Sequence, residues 1–213
     1  MKLYPWLEPY WIFLSKAREQ KRLSHAYLFC GKKGLGIEQL VEKFHAALLC
    51  EKSEREACGA CKACLLVKYE THPDKLVLGD YRIKKTISVD EARQLTLFFS
   101  SKPLISSSKV ASIYTEPGGF NDNSANAILK VLEEPPSGAV VSIYTENPGF
   151  LPSTILSRCQ KLRVNSPNWG FIEDYLNNDN EQKLSAIDRT SIMFDFPFGN
   201  HAIENSLSSN SIL

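Results

Sequence analysis

Ser112-Ile-Tyr-Thr-Glu-Pro-Gly-Gly-Phe120 and Ser142-Ile-Tyr-Thr-Glu-Asn-Pro-Gly-Phe150 agree at seven of nine positions, at an offset of 30 residues. Each begins inside a short apolar run, Lys109-Val-Ala-Ser-Ile-Tyr114 and Ala139-Val-Val-Ser-Ile-Tyr144, and each ends in a Thr-Glu turn. Between them Ala125, Ile128, Leu129 and Leu132 recur at helical spacing and Pro135-Pro136 closes the run. Strand, helix and strand in so short a span make one right-handed crossover unit, and that requires parallel strands. Both Thr-Glu turns then fall at the carboxyl edge of one sheet, where ligands bind in open α/β folds. A single offset without further copies excludes a solenoid.

Working towards the N-terminus, Ser88-Val-Asp-Glu91 is a capping box, in which a hydroxyl takes the third amide and a carboxylate reaches back. Behind it Ala92, Leu95, Phe98 and Phe99 define a helix that stops near Pro103, and Leu76-Val-Leu78 reads as a strand. Further upstream, Ala26-Tyr-Leu-Phe-Cys30 is a buried strand, and Gly31-Lys-Lys-Gly-Leu-Gly36 is a glycine turn. Leu40, Val41, Phe44, Ala47 and Leu48 give the next helix. Trp6, Tyr10, Phe13, Leu14 and Ala17 predict one buried face of a first helix between Trp6 and Lys21.

Composition bounds the class. The 213 residues carry 25 Lys and Arg against 24 Asp and Glu, a net charge of +1, with 43% hydrophobic and 23% charged residues. Such a chain buries a core without disulfides and is neither disordered nor a strongly basic nucleic-acid binder. No apolar run reaches the ~20 residues of a membrane span, and Met1 to Tyr10 lacks a secretory pattern, so a cytoplasmic protein is expected. In that compartment clustered cysteines point to metal before disulfide.

The spacing Gly31-x-x-x-x-Gly36 between strand and helix is that of a phosphate-binding loop. That chemistry then calls for Lys and Ser or Thr, to hold the outer phosphates and Mg²⁺, and Ile37 and Glu38 stand there. Gly34 lies inside the loop, and Lys32 and Lys33 are out of phase with the motif. At the next strand's edge an Asp-Glu pair would direct the metal and polarise water, and Thr115-Glu116 replaces it. Two independent departures fall on one function, so neither ATP binding nor hydrolysis is expected. A glycine turn that only lets strand and helix pack closely is the structural alternative.

Cys50, Cys58, Cys61 and Cys64 hold two overlapping C-x-x-C steps and a fourth cysteine nearby, the pattern of a closed, structural four-thiolate Zn²⁺ site. A redox dithiol or four free thiols are the alternatives. Cys30 and Cys159 read as core residues, and His25 and His72 as packing or turn residues. Arg158, in Leu151-Pro-Ser-Thr-Ile-Leu-Ser-Arg-Cys159, reads either as half of a surface ion pair or as an arginine reaching a neighbour's phosphate.

His25-Ala-Tyr-Leu-Phe, the glycine loop, the four cysteines, His72-Pro-Asp74, Asn126-Ala-Ile-Leu-Lys-Val-Leu-Glu-Glu-Pro-Pro136 and Thr154-Ile-Leu-Ser-Arg-Cys-Gln160 occur in that order. Taken together they resemble the delta-prime family of clamp-loader subunits of bacterial DNA polymerase III, which are AAA+ proteins, over roughly residues 5 to 164. The resemblance implies a P-loop-type parallel sheet flanked by helices, with a zinc module at about 50–74 and a core domain over 1–164. Residues 165–213, with eight Asn and seven Ser, come after it as linker and partial helical lid. It further implies a non-hydrolysing stator in a ring with gamma/tau and delta subunits, a ring that places the sliding clamp on primed DNA. Arg158 would complete a neighbour's ATP site, and Thr145 falls at the family's sensor threonine. Members of the family continue into a full lid and a collar domain, beyond the stretch seen here. An active ATPase using Lys32 or Lys33, or a zinc module that binds nucleic acid through Lys52, Arg55, Lys62 and Lys68, are the competing functions; Glu51, Glu54, Glu56 and Glu70 offset the charge of the latter.

Overall fold

A computed structural model describes residues 2–79, 86–115 and 119–168, together with 170, 172 and 175. Five strands form one parallel sheet in the order β2-β3-β4-β1-β5. They are β1 (Ala26–Cys30), β2 (Lys75–Leu78), β3 (Lys109–Tyr114), β4 (Ala139–Thr145) and β5 (Gln160–Arg163). β3 and β4 are neighbours, with Ser112 opposite Ser142 and Tyr114 opposite Tyr144, so the sequence repeat is a spatial repeat in register.

Every residue of β1, β3 and β4 is buried, because helices cover both faces. Side-chain alternation divides the core in two. Tyr27, Phe29, Val110, Tyr114, Val140 and Tyr144 face α1 (Glu8–Glu19) and α2 (Ile37–Leu49). Ala26, Leu28, Ala111, Ile113, Val141 and Ile143 face α4 (Val89–Ser100), α5 (Asp122–Glu133) and α6 (Ser153–Arg158). Each fully buried Leu, Ile or Phe contributes about 1.5–3 kcal/mol relative to exposure. Cys30 and Cys159 both belong to the second core, as expected of core cysteines.

Helix starts reflect local chemistry. Ser88 Oγ accepts from Glu91 N at 3.2 Å and Glu91 Oε2 accepts from Ser88 N at 2.9 Å, closing the expected box at α4. Asn121 and Ser124 form a second box at α5, at 2.8 and 3.0 Å. The first helix departs from its expected face. Pro5–Leu7 is a 3-10 turn, and Leu7, Trp11 and Leu14 point inward, while Phe13 is 40% exposed. The tighter turn shifts the phase of the α-helix behind it.

A buried polar spot lies between α2 and the sheet. His45 Nε2 meets Ser142 Oγ at 2.8 Å, while His45 Nδ1 and Ser112 Oγ are buried with no hydrogen-bond partner among the described residues. Burial, and then the charge of Lys75, lowers the His45 pKa to about 3 and keeps the ring neutral. Among the described residues, no helix is long and apolar enough to cross a membrane.

Candidate functional site

The carboxyl edge of the sheet brings the glycine loop and both Thr turns together. Gly31 N donates to Thr145 O at 3.3 Å, and Tyr144 OH donates to Gly31 O at 3.2 Å. Thr115 N donates to Tyr144 O at 3.1 Å, and Thr115 and Thr145 are both buried. The Thr145 hydroxyl is engaged locally, accepting from Asn147 N and donating to Asn147 O, each at 3.3 Å. Glu116, the other half of the expected pair, lies outside the described residues.

The loop turns through Gly34 (φ 87°) and Gly36 (φ 76°), and Gly36 caps α2. Its interior is apolar. Leu35 and Ile37 are almost wholly buried, and Ile37 Cδ1 lies 2.6 Å from where a Cβ on Gly31 would stand. A side chain at Gly36 would strike the Tyr4 ring at 2.5 Å. Trp6 stacks on Tyr4 at 4.6 Å and donates from Nε1 to Leu35 O at 2.9 Å. Tyr175 meets Tyr4 and Trp6 edge-on at 6.3 and 5.9 Å. The first residues of the chain therefore close over the loop, a contact that no motif in the sequence announces. Glu38 stands half-buried in the first turn of α2, where a carboxylate satisfies the positive end of the helix. Lys32 and Lys33 are exposed, and Lys33 N donates to Glu146 Oε1 at 3.2 Å.

Arg158 ends α6. Its Nη2 lies 2.7 Å from Glu133 Oε1, and its Nη1 donates to Thr154 O at 2.9 Å. The side chain is 34% exposed.

The four cysteines converge. Their sulfurs lie within 4.8 Å of one another, and Cys58 and Cys64 Sγ are 3.9 Å apart. Tetrahedral thiolates at a Zn–S distance of about 2.3 Å stand about 3.8 Å apart, so this donor set fits such an ion. Amides are aimed at the sulfurs: Cys58 N at Cys50 Sγ (3.4 Å), Cys61 N at Cys58 Sγ (3.3 Å) and Cys64 N at Cys61 Sγ (3.4 Å). Burial pushes the Cys50 thiol up, but the N–H groups of Cys58, Lys52 and Ser53 outweigh it and bring the pKa down to about 6. For Cys61 burial is likewise outweighed by amides, and the value is lowered. Burial, then hydrogen bonding to Cys61, pushes Cys64 up to about 12. Cys61 also caps α3 (Lys62–Lys68) through its sulfur.

His72 and Asp74 tie the segment after α3 to the loop at 104–106. Asp74 is fully buried and accepts from the amides of Leu104 (2.7 Å), Ile105 (2.8 Å) and Ser106 (3.0 Å). Burial raises its pKa, but those three donors and His72 more than offset this, and the value is lowered. His72 Nδ1 accepts from Asp74 N at 3.1 Å, its Nε2 faces Ser106 Oγ at 3.2 Å, and Ser106 Oγ donates to Leu49 O at 2.7 Å. Burial lowers the His72 pKa, consistent with a neutral ring in this chain of bonds. Leu49 precedes Cys50, so the clamp ties the module's entry and exit to one loop.

Residues 7–168 match the family model described as DNA polymerase III, delta subunit. DNA polymerase III subunit delta' of Pseudomonas aeruginosa is 39% identical over 159 residues, covering 74% of this chain and 47% of the relative. The subunit delta' of Escherichia coli is 34% identical over 161 residues, covering 75% and 48%. The chain thus spans about half the length of the curated relatives it matches. A crystal structure of a DNA polymerase III, gamma subunit-related protein from Thermotoga maritima superposes with a TM-score of 0.53 at 20% identity, covering 97% of this chain and 62% of that one. That likeness bears on the fold alone.

Proposed function

The chain belongs to the delta-prime family of DNA polymerase III subunits, and from that premise we propose that it serves as a non-hydrolysing clamp-loader subunit that lends Arg158 to a neighbour's ATP site. One observation carries this reading. The loop that would cradle a triphosphate is filled by Leu35 and Ile37 and covered by Tyr4 and Trp6, while Arg158 stays at the surface. A guanidinium supplied in trans accelerates phosphoryl transfer by about 10³–10⁵ in other enzymes, because its planar fork meets charge that grows in the transition state. Glu38 opposes nucleotide in the loop, since it places a negative charge where phosphate oxygens would lie.

In this reading the partners are gamma/tau and delta subunits, and the assembled ring acts on the sliding clamp and primed DNA in the cytoplasm. Residues 1–164 form the core domain and 165–213 a linker with a partial lid. Cys50, Cys58, Cys61 and Cys64 hold a structural Zn²⁺, which would cross-link the segment between α2 and α3. Co-purification with ATP-hydrolysing clamp-loader subunits, combined with equilibrium binding of a labelled ATP analogue and Mg²⁺ to the isolated chain, tests the reading. Stable capture and negligible nucleotide binding are expected; ATP turnover by the isolated chain would contradict it.

A further inference from the structure

The seven residues between Cys50 and Cys58 supply no cysteine, yet they are tied firmly to α1. Trp11 Nε1 donates to Glu56 Oε1 at 3.1 Å, and Lys43 Nζ of α2 pairs with the same oxygen at 3.1 Å. Glu19 Oε1 lies 3.4 Å from Arg55 Nε, and Arg18 Nη2 donates to Ser53 O at 3.2 Å. Arg18 differs from the other cations in this contact. Arg55 is 80% exposed and Lys43 is matched to Glu56, whereas Arg18 Nη1 is buried and has no hydrogen-bond partner among the described residues.

A buried cationic nitrogen without an acceptor is costly unless a nearby negative charge offsets it. Burial lowers the Arg18 pKa, and the charge of Cys50, ahead of Glu54, opposes that lowering. The hydrogen bond to Ser53 O anchors the guanidinium to the loop between two of the cysteines, three positions beyond Cys50, and leaves its Nη1 buried there without an acceptor among the described residues. Four thiolates around a divalent ion leave two excess negative charges, and groups just outside the ligand sphere tune such a centre strongly.

We propose that Arg18 is the outer-sphere charge partner of the four-cysteine centre: α1 delivers its guanidinium beside the loop from Cys50 to Cys58, where it offsets thiolate charge and strengthens metal binding. Arg18 is a positioning residue and ligates nothing; its role rests on the metal-site reading under the proposed function.

The test is zinc affinity of the full chain, read by competition with a chromophoric chelator at fixed pH and ionic strength. Arg18→Gln is expected to bind zinc about 10–100-fold more weakly than wild type. Arg18→Lys should recover part of the loss, because it restores charge without the planar fork. Glu19→Gln, which breaks the adjacent ion pair on the same helix, should bind as wild type does. Should Arg18→Gln not fold, Arg18→Met, with a similar apolar stem and no charge, reads the same quantity. Wild-type affinity in the charge-free variant, equal losses for Lys and Gln, or an equal loss for Glu19→Gln would each overturn the proposal. A wild-type chain that takes up no zinc would overturn the metal-site reading first and this inference with it.

Discussion

Arg158 Nη2 stands 2.7 Å from Glu133 Oε1, so the last residue of α6 is tied to the last residue of α5 by a charge pair. The segments Asn126–Pro136 and Thr154–Gln160, both part of the family resemblance, therefore touch. Glu133 holds the guanidinium from one side while Thr154 O orients the other nitrogen at 2.9 Å. Both readings of Arg158 open to the sequence thus bear on one side chain. The ion pair with Glu133 is present in the isolated chain, and the Arg158 side chain stays 34% exposed beside it.

Because that pair is partly solvated, Glu133→Ala is expected to change folding stability by no more than ~1 kcal/mol. Urea unfolding of the isolated chain measures it. A loss several times larger would mean that the pair is a core element and that Arg158 is held for the fold alone.

Ile37→Lys restores the residue type a phosphate loop would carry at that position. The expected outcome is damage without gain, since Ile37 is buried against Gly31 and Leu35. Losing that packing and burying an unpaired ammonium should cost about 2–5 kcal/mol, with no new affinity for Mg-ATP. Chemical denaturation and equilibrium nucleotide binding check the two halves separately.

Acid should destabilise the protein well above the pH at which carboxylates ordinarily titrate. His45 has a folded pKa of about 3 against an ordinary 6.5, so the unfolded chain takes up the proton first. Its contribution is whole above about pH 6.5 and is lost as pH falls towards 3, a change on the order of a few kcal/mol. His72, also lowered, acts in the same direction, and Asp74 adds its share as pH falls below its ordinary 3.8. Urea midpoints measured from pH 7.5 to 4 should decline on acidification. A flat profile between 6.5 and 4.5 would contradict the buried, neutral His45.

Elemental analysis should find about one zinc per chain. Its removal should raise amide exchange across residues 50–64 while β1, β3 and β4 stay protected. Cys50, Cys61 and Cys64 form a small buried cluster with Ala63, apart from the two main cores. Hydrogen exchange with and without chelator reads this directly.

The features legible in the sequence were local in kind. The capping box at Ser88 and Glu91 spans four residues, the cysteine spacing spans fifteen, and the Ser-Ile-Tyr-Thr repeat fixed two adjacent parallel strands by its pattern alone. Loss of the phosphate motif was readable at Ile37, but the side chains that fill the loop instead were not. Trp6 reaches Leu35 across 29 positions, and Tyr10 OH reaches Arg163 O, at 2.5 Å, across 153. Contacts of that range leave no period in a sequence, because only the folded chain brings their ends together. The Asp74 clamp on Leu104 to Ser106 and the approach of Arg18 to Ser53 are hidden from the sequence for the same reason. The inward face of α1 departs from expectation at Phe13 because a 3-10 turn ahead of the helix changes its phase.

Arg158 acting next door to a loop that cannot act for itself is the central claim. Steady-state ATP hydrolysis by the reconstituted clamp loader, with wild-type chain or with Arg158→Ala, tests that most directly. At least a tenfold fall in hydrolysis at the adjoining site is expected, given the ~10³–10⁵ that such arginines contribute elsewhere, with assembly and the melting temperature of this chain preserved. Unchanged hydrolysis in a fully assembled Arg158→Ala complex would contradict it.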